Sequence, residues 1–345
     1  MRHLETEREE RMKVFVSIPQ NSVVMNTFLP ENVKKYLEDR FEVIYSPLER
    51  QLKQEEISIY AGDAEIILTG WGQCMLDSSA LENTSIKLIA HTGGTVGNVV
   101  NEETYAKGVR VISGNNVYAD SVAEGVLAYV FMALRRLPDY VTICREGGWH
   151  KTKDCWEGLY DQTVGIIGMG AISKRVIKLL KPFGVRLKLY SGYPIDQEYL
   201  KENNAVQASI EEIFSTCKIV SLHSAMNERT RGMIGKEHFD LLQDGAIFLN
   251  TARGAIIREE EMIEALREKR FLAVLDVFCK EPLEEDSALR KLENVYCIPH
   301  MAGPTIDRRP VVTKRLVDDM VRFMNNEHME LEIVGEYAKR MTVGG

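Results

Sequence analysis

Thr163-Val164-Gly165-Ile166-Ile167-Gly168-Met169-Gly170-Ala171-Ile172-Ser173 is the stretch on which the fold turns. Thr163–Gly168 reads as a buried strand that runs straight into a G-x-G-x-x-S turn. A helix follows, with Ile172, Val176, Leu179 and Leu180 on one face, and Pro182 and Gly184 stop it. Strand, glycine turn and helix in that order give this spacing a physical meaning: Gly168 makes the tight turn and Gly170 lets the backbone approach a pyrophosphate. The helix start, through Met169, Ala171 and Ile172, then offers N–H groups and the positive end of a dipole to the phosphates. Ser173 stands where a third glycine permits close helix–strand packing. The acid expected about 20 residues on, for a ribose 2′-hydroxyl, is missing. That strand end reads Leu189-Tyr190-Ser191-Gly192-Tyr193. Ser191 carries no charge to repel a 2′-phosphate, and no Arg follows to reward one, so NAD and NADP both stay open with a slight lean to NADP.

Outward from this turn, strands and helices alternate. Val185, Leu187 and Leu189 mark a second strand, and Lys218–His223, Ala246–Asn250, Leu272–Asp276 and Val295–Ile298 bring the count to six. Helices are expected over Ser209–Cys217, opened by Ser209 and Glu212, and over Arg258–Lys269. Before them lies a smaller unit with strands at Val14–Ile18, Glu65–Thr69, Lys87–His91 and Val109–Ser113, a helix at Pro30–Arg40 and an end near Asn115. A long apolar helix, Ser121–Leu137, opens on a Ser121/Glu124 capping box and joins the two. The last helix, Arg308–Asn326, is placed back on the first unit. Alternating β and α segments imply parallel sheets with right-handed crossovers. The expectation is a Rossmann-type doubly wound dinucleotide-binding domain at 116–304, plus a smaller flavodoxin-like α/β substrate domain made of 1–115 and 305–345.

Composition narrows the function. With 45% hydrophobic residues the chain can bury a core, and a formal charge of −8 argues against a nucleic-acid face or an anionic membrane surface. No apolar run is read as reaching membrane length, and Met1–Lys13 lacks the apolar core of a signal peptide. Cys74, Cys144, Cys155, Cys217, Cys279 and Cys297 form no C-x-x-C pair, which reads as reduced thiols in a cytoplasmic protein without a metal site.

Four polar residues sit at or just past strand ends: Arg253, Asp276, Glu281 and His300. Ligands of an open parallel sheet bind beyond its carboxyl ends, so these groups converge on the edge that Gly168 occupies. Their types suit hydride transfer to a 2-oxo acid. Planar Arg253 can grip a carboxylate with two bonds, His300 can protonate the nascent alkoxide, and Glu281 can hold the imidazole. In the reverse direction neutral His300 is the base.

Gly168–Ser173, Leu249–Gly254, Leu275–Pro282 and Pro299–Gly303, with Ser121–Glu124 and His223 through Thr230-Arg231-Gly232, resemble the motif series of the D-isomer-specific 2-hydroxyacid dehydrogenases, over about Leu88 to Arg322. The resemblance implies that Arg253, Glu281 and His300 are the catalytic triad and that Asp276 contacts the nicotinamide side. It further implies that His223, Thr230 and Thr251-Ala252-Arg253 line the cofactor cleft, and that the chain is a homodimer through the 121–137 helix. Two departures stand out. The loop His91-Thr92-Gly93-Gly94-Thr95-Val96-Gly97-Asn98 replaces the family's G-x-G-x-D-N, though Gly93 and Gly94 still offer N–H groups to a carboxylate. After His223 the sequence Ser224-Ala225-Met226-Asn227 lacks the usual Pro. Glu281 disfavours a formate dehydrogenase, and an end at Gly345 leaves no room for an added regulatory domain.

Plainer readings stand beside these. His91 is either a donor to the substrate or a satisfied polar residue. Trp71 is either core or pocket lining, Asp276 either a cofactor contact or a turn cap, and Trp149 and His150 are structural. The favoured function is reduction of a small 2-oxo acid such as glyoxylate or hydroxypyruvate to the D-2-hydroxy acid. The alternatives are an NAD(H)-sensing module like the corepressors of this fold, and an oxidoreductase of a non-carbon anion such as phosphite.

Overall fold

A computed structural model describes residues 11–149 and 156–342; residues 1–10, His150 and Cys155 lie outside the described residues. Contacts divide the chain into two units, one running to Tyr118 and resuming at Pro304, the other Ala119–Gly303.

In the first unit the strands are β1 (Lys13–Val16), β2 (Glu42–Tyr45), β3 (Ile66–Thr69), β4 (Leu88–His91) and β5 (Arg110–Ser113). They lie in the order β2-β1-β3-β4-β5, and every neighbouring pair is parallel. This is the flavodoxin-like order. β3 and β4 are buried along their whole length, which explains their unbroken apolar runs. The reading of the sequence passed over β2. It is a four-residue edge strand with an exposed Glu42, too short and mixed to show a period. The helix Arg309–Met324 returns to this unit. Val312, Leu316, Val317 and Met320 join Val16, Leu68 and Ala90 in one core. The chain beyond it closes the β5 edge through an antiparallel bridge between Ile112 and Glu332, so unpaired N–H and C=O groups are covered there.

The second unit holds seven strands, one more than expected: β6 (Thr163–Ile167), β7 (Arg186–Tyr190), β8 (Ala205–Gln207), β9 (Ile219–Leu222), β10 (Ile247–Asn250), β11 (Leu272–Leu275) and β12 (Val295–Cys297). The addition is β8, a three-residue edge strand with two exposed residues. The order is β12-β11-β10-β9-β6-β7-β8, parallel throughout. The direction of winding reverses between β6 and β9, and that switch point opens a crevice at the carboxyl ends. Ser209 caps the helix Ile210–Thr216, accepting from Glu212 N at 3.1 Å as its spacing requires.

The long helix spans Asn115–Leu134, not Ser121–Leu137. Ser121 and Glu124 therefore lie inside it and form no capping box; Ser121 Oγ is buried without a partner. Arg136, at φ 51°, ends this helix and begins another, Leu137–Arg145. The long helix does reach membrane-crossing length and composition, contrary to the reading above, but half of that stretch is buried inside the protein.

Candidate active site

Several strands of the second unit end in or run directly into a polar residue, among them His223 after β9, Asn250 at the end of β10 and Asp276 after β11, and the parallel sheet delivers these ends to one edge. Gly168 turns the chain after β6 at φ 100°, a region that favours glycine. A Cβ there would stand 2.5 Å from Ser224 N, so the turn packs on the chain leaving β9. Gly170 is the N-cap of the helix Ala171–Leu180 and has open space where a side chain would be. Ser173, in the place of the third glycine, is fully buried, and its Oγ donates to the Gly168 carbonyl at 2.5 Å. The serine thus closes the turn on itself, which explains why it replaces glycine without opening the packing. Met169 and Ile172 are half-buried against the core below. At the end of β7, Ser191 Oγ accepts the Tyr193 N–H at 3.2 Å.

His223 follows β9, its Nε2 2.8 Å from Ser221 Oγ. Thr230 does not reach outward. Its hydroxyl donates to the Ala225 carbonyl at 2.7 Å and accepts from Asn227 N at 2.9 Å, closing the loop that lacks proline. Thr251, Ala252 and Arg253 follow β10 on a turn braced by Asn250, a residue the sequence reading did not single out. Asn250 Oδ1 accepts from Ala252 N at 2.9 Å, and its Nδ2 donates to the Arg253 carbonyl at 3.1 Å. An amide at a strand end just before such a turn is the signal that was available.

The residues present fit a dinucleotide. The turn leaves a bare Cα at Gly170, and two polar atoms at this edge, His223 Nδ1 and Thr251 Oγ1, are buried without a hydrogen-bond partner. A ligand rich in donors and acceptors satisfies such atoms. Gly168→Ala is expected to weaken dinucleotide affinity at least about tenfold and to destabilise the chain by about 1–3 kcal/mol. Fluorescence titration and a thermal melt measure both, and an affinity equal to that of the parent would remove the turn from the site.

The histidine and carboxylate expected to pair do so. His300 Nδ1 lies 2.7 Å from Glu281 Oε2, and Glu281 Oε1 accepts from Phe278 N at 3.0 Å, which fixes the carboxylate. A carboxylate only accepts, so Nδ1 carries the hydrogen and Nε2 is left for chemistry. The imidazole side chain is 46% exposed, so that nitrogen is open to a reactant. Arg253 makes no ion pair among the described residues; its Nη1 donates to the Ala252 carbonyl at 2.6 Å. Burial lowers its pKa from the ordinary guanidinium value, and the field of Glu281 opposes that fall. The backbone of Phe278 and Cys279 lies where a Cβ of Gly254 would be, which ties the Arg253 segment to the Glu281 segment. Asp276 is turned inward and braces the His300 loop: its carboxylate accepts from Met301 N at 2.9 Å, Ala302 N at 3.1 Å and Tyr129 Oη at 3.0 Å.

In the first unit, His91 ends β4 buried, with Nδ1 2.8 Å from Thr69 Oγ1, as a satisfied polar residue. Gly93 faces the His91 ring and Gly94 the Tyr118 ring. Trp71 is not core: it is 38% exposed, edge-on to Phe28 at 5.1 Å, with the Arg309 guanidinium 5.1 Å from its centroid. Trp149 is likewise exposed.

Burial pushes His91 and His223 down to about 4. Their folded values lie below the unfolded value of about 6.5, so the unfolded chain binds more protons between those limits. Stability is therefore level above pH about 6.5 and declines as pH falls towards 4, by about 2 kcal/mol per histidine at pH 5. Urea unfolding at pH 7.5 and pH 5 measures this; a midpoint that does not move would show that neither ring is held neutral.

Residues 127–302 match the D-isomer specific 2-hydroxyacid dehydrogenase NAD binding domain. The chain is similar to the 2-hydroxyacid dehydrogenase YoaD of Bacillus subtilis, 31% identical over 86% of each chain. It is 28% identical to the glyoxylate reductase/hydroxypyruvate reductase of Homo sapiens, over 72% of this chain and 77% of that one. Against the D-3-phosphoglycerate dehydrogenase of Methanocaldococcus jannaschii it is 29% identical over 88% of its own length, and spans 57% of that protein. The fold is that of Rhodotorula graminis D-mandelate dehydrogenase, at a TM-score of 0.79 and 19% identity, covering 94% of this chain and 98% of the other.

Proposed function

The chain belongs to the D-isomer specific 2-hydroxyacid dehydrogenase family, and from that premise we propose that it reduces a small 2-oxo acid, of the glyoxylate or hydroxypyruvate kind, to the D-2-hydroxy acid. The observation that carries the reading is the 2.7 Å contact between Glu281 and the exposed ring of His300, with the unpaired Arg253 on the same sheet edge. A dinucleotide, when bound, supplies the hydride for reduction and takes it back in oxidation. Arg253 holds the substrate carboxylate with its planar fork. As negative charge builds on the C2 oxygen, His300 passes its Nε2 proton to that oxygen, and Glu281, bonded to Nδ1, keeps the ring aimed. In oxidation the neutral ring takes the hydroxyl proton back. An intact acid–base pair supports the enzyme over a pure NAD(H)-sensing module, which has no use for a proton donor.

The uncharged Ser191 at the end of β7 supports acceptance of NADPH beside NADH. Exposed Leu137, Val141, Trp156 and Tyr160 support a homodimer built around the long helix and the helix after it, and five free thiols among the described residues support a cytoplasmic setting. The test is a panel of glyoxylate, hydroxypyruvate, pyruvate and bulkier 2-oxo acids, each with NADH and NADPH. Glyoxylate and hydroxypyruvate are expected to lead by about tenfold or more in kcat/KM. Preference for a phosphorylated or aromatic acid would overturn the substrate class, and oxidation of phosphite with NAD+ or NADP+, in the absence of any 2-oxo acid reduction, would overturn the reaction.

A further inference from the structure

The long helix carries two residues that this reaction does not use: Gly125 touches the segment presenting His300, and Tyr129 reaches it through Asp276. Tyr129 Oη donates to Asp276 Oδ1 at 3.0 Å. The same carboxylate, 1% exposed, receives the N–H groups of Met301 on Oδ1 and Ala302 on Oδ2, while the Asp276 carbonyl receives that of His300 at 2.9 Å. Gly125, one turn before Tyr129 on the same helix face, lies against Ala302: a Cβ there would stand 3.2 Å from Ala302 Cα and 3.3 Å from its Cβ. From one face of the helix, a bare Cα thus packs directly on Ala302 while a hydroxyl reaches residues 301–302 through the Asp276 carboxylate.

The grip has something to hold. His300 sits at φ 47°, a left-handed conformation that a residue with a Cβ keeps only when its surroundings impose it. The segment is held by the His300 N–H on the Asp276 carbonyl and by the Met301 and Ala302 N–H groups on the Asp276 carboxylate, and the latter two depend on how that carboxylate is turned. Three donors on its two oxygens leave it one orientation. Without the tyrosine hydroxyl the buried carboxylate is short of a donor and turns to find another, releasing the amides it held. Burial and Asp276 together push the Tyr129 phenol well above its ordinary pKa, so it stays a donor across the working range.

We infer that Tyr129 is a positioning residue for the acid–base histidine, acting through Asp276, with Gly125 admitting the loop to the helix. The inference rests on the reading of His300 as proton donor. Tyr129→Phe in the full chain keeps the ring and removes the bond. The kcat for glyoxylate reduction is expected to fall about tenfold, while KM and the dinucleotide Kd stay within about twofold, because a misaimed donor slows the chemical step alone. Hydrogen–deuterium exchange across 298–303 is expected to quicken at least about fivefold. Gly125→Ala, which pushes a methyl into the same loop, should reproduce the kcat loss and so covers the case in which Tyr129→Phe does not fold. Parent-like kcat and exchange overturn the inference. So does a joint fall of kcat, KM and dinucleotide affinity, the mark of general structural damage. A parent protein that reduces no 2-oxo acid defeats the functional reading instead, and exchange in Tyr129→Phe then still decides whether the brace exists.

Discussion

Replacing His300 with alanine is expected to lower kcat by about three orders of magnitude, the middle of the range for losing a general acid. Nδ1 is committed to Glu281, so the reacting proton passes through Nε2, and the alanine variant has no group in its place to supply it. Water can fill the gap left by the ring, but it is a far weaker acid and is not oriented. The turn at Gly168, the His223 ring and the Thr251 hydroxyl keep their places, so the dinucleotide Kd should match that of the parent. Single-turnover reduction, with fluorescence titration beside it, separates the two quantities. Turnover equal to the parent's would end the assignment of His300 as proton donor.

Arg253→Ala is expected to lower kcat/KM by about 10²- to 10³-fold, or about 3–4 kcal/mol of transition-state binding. The side chain is held by the Ala252 carbonyl and its turn by Asn250, and it is the one guanidinium among the four strand-end residues Arg253, Asp276, Glu281 and His300. A substrate carboxylate brought here without it is desolvated and unmatched. Arg253→Lys should recover only a small part, because an ammonium offers a point charge and not a planar fork. Dinucleotide affinity should again hold. Retention of kcat/KM in the alanine variant would move carboxylate recognition to another group.

The sequence carried most of the fold because buried parallel strands write themselves as apolar runs. Ile66–Thr69 and Ile219–Leu222 are buried at every position and were legible as such. The two strands that escaped, Glu42–Tyr45 and Ala205–Gln207, lie at sheet edges, where one side is solvated and the apolar signal thins. Ser121 and Glu124 had the spacing of a helix start, yet the helix extends six residues earlier, because apolar burial of Val117 and Ala119 outweighs a local cap. At the site, Arg253, Glu281 and His300 were legible from residue type at strand ends. Asp276 was legible as a strand-end acid, either a cofactor contact or a turn cap, but that its carboxylate faces two amides and a phenol shows only in three dimensions. Tyr129 read as one more apolar position on a helix; nothing in its spacing marks the hydroxyl.

The division of the chain also sets an order of events on the ribosome. The core of the first unit is completed by Val312, Leu316, Val317 and Met320, and its last strand edge by Glu332. All seven strands of the second unit are translated before any of these residues emerge. The inner unit can therefore settle while the nascent amino-terminal segment, up to Tyr118, still waits for its missing helix. That earlier segment carries exposed apolar strands through most of synthesis, and is where chaperone capture and off-pathway association should concentrate.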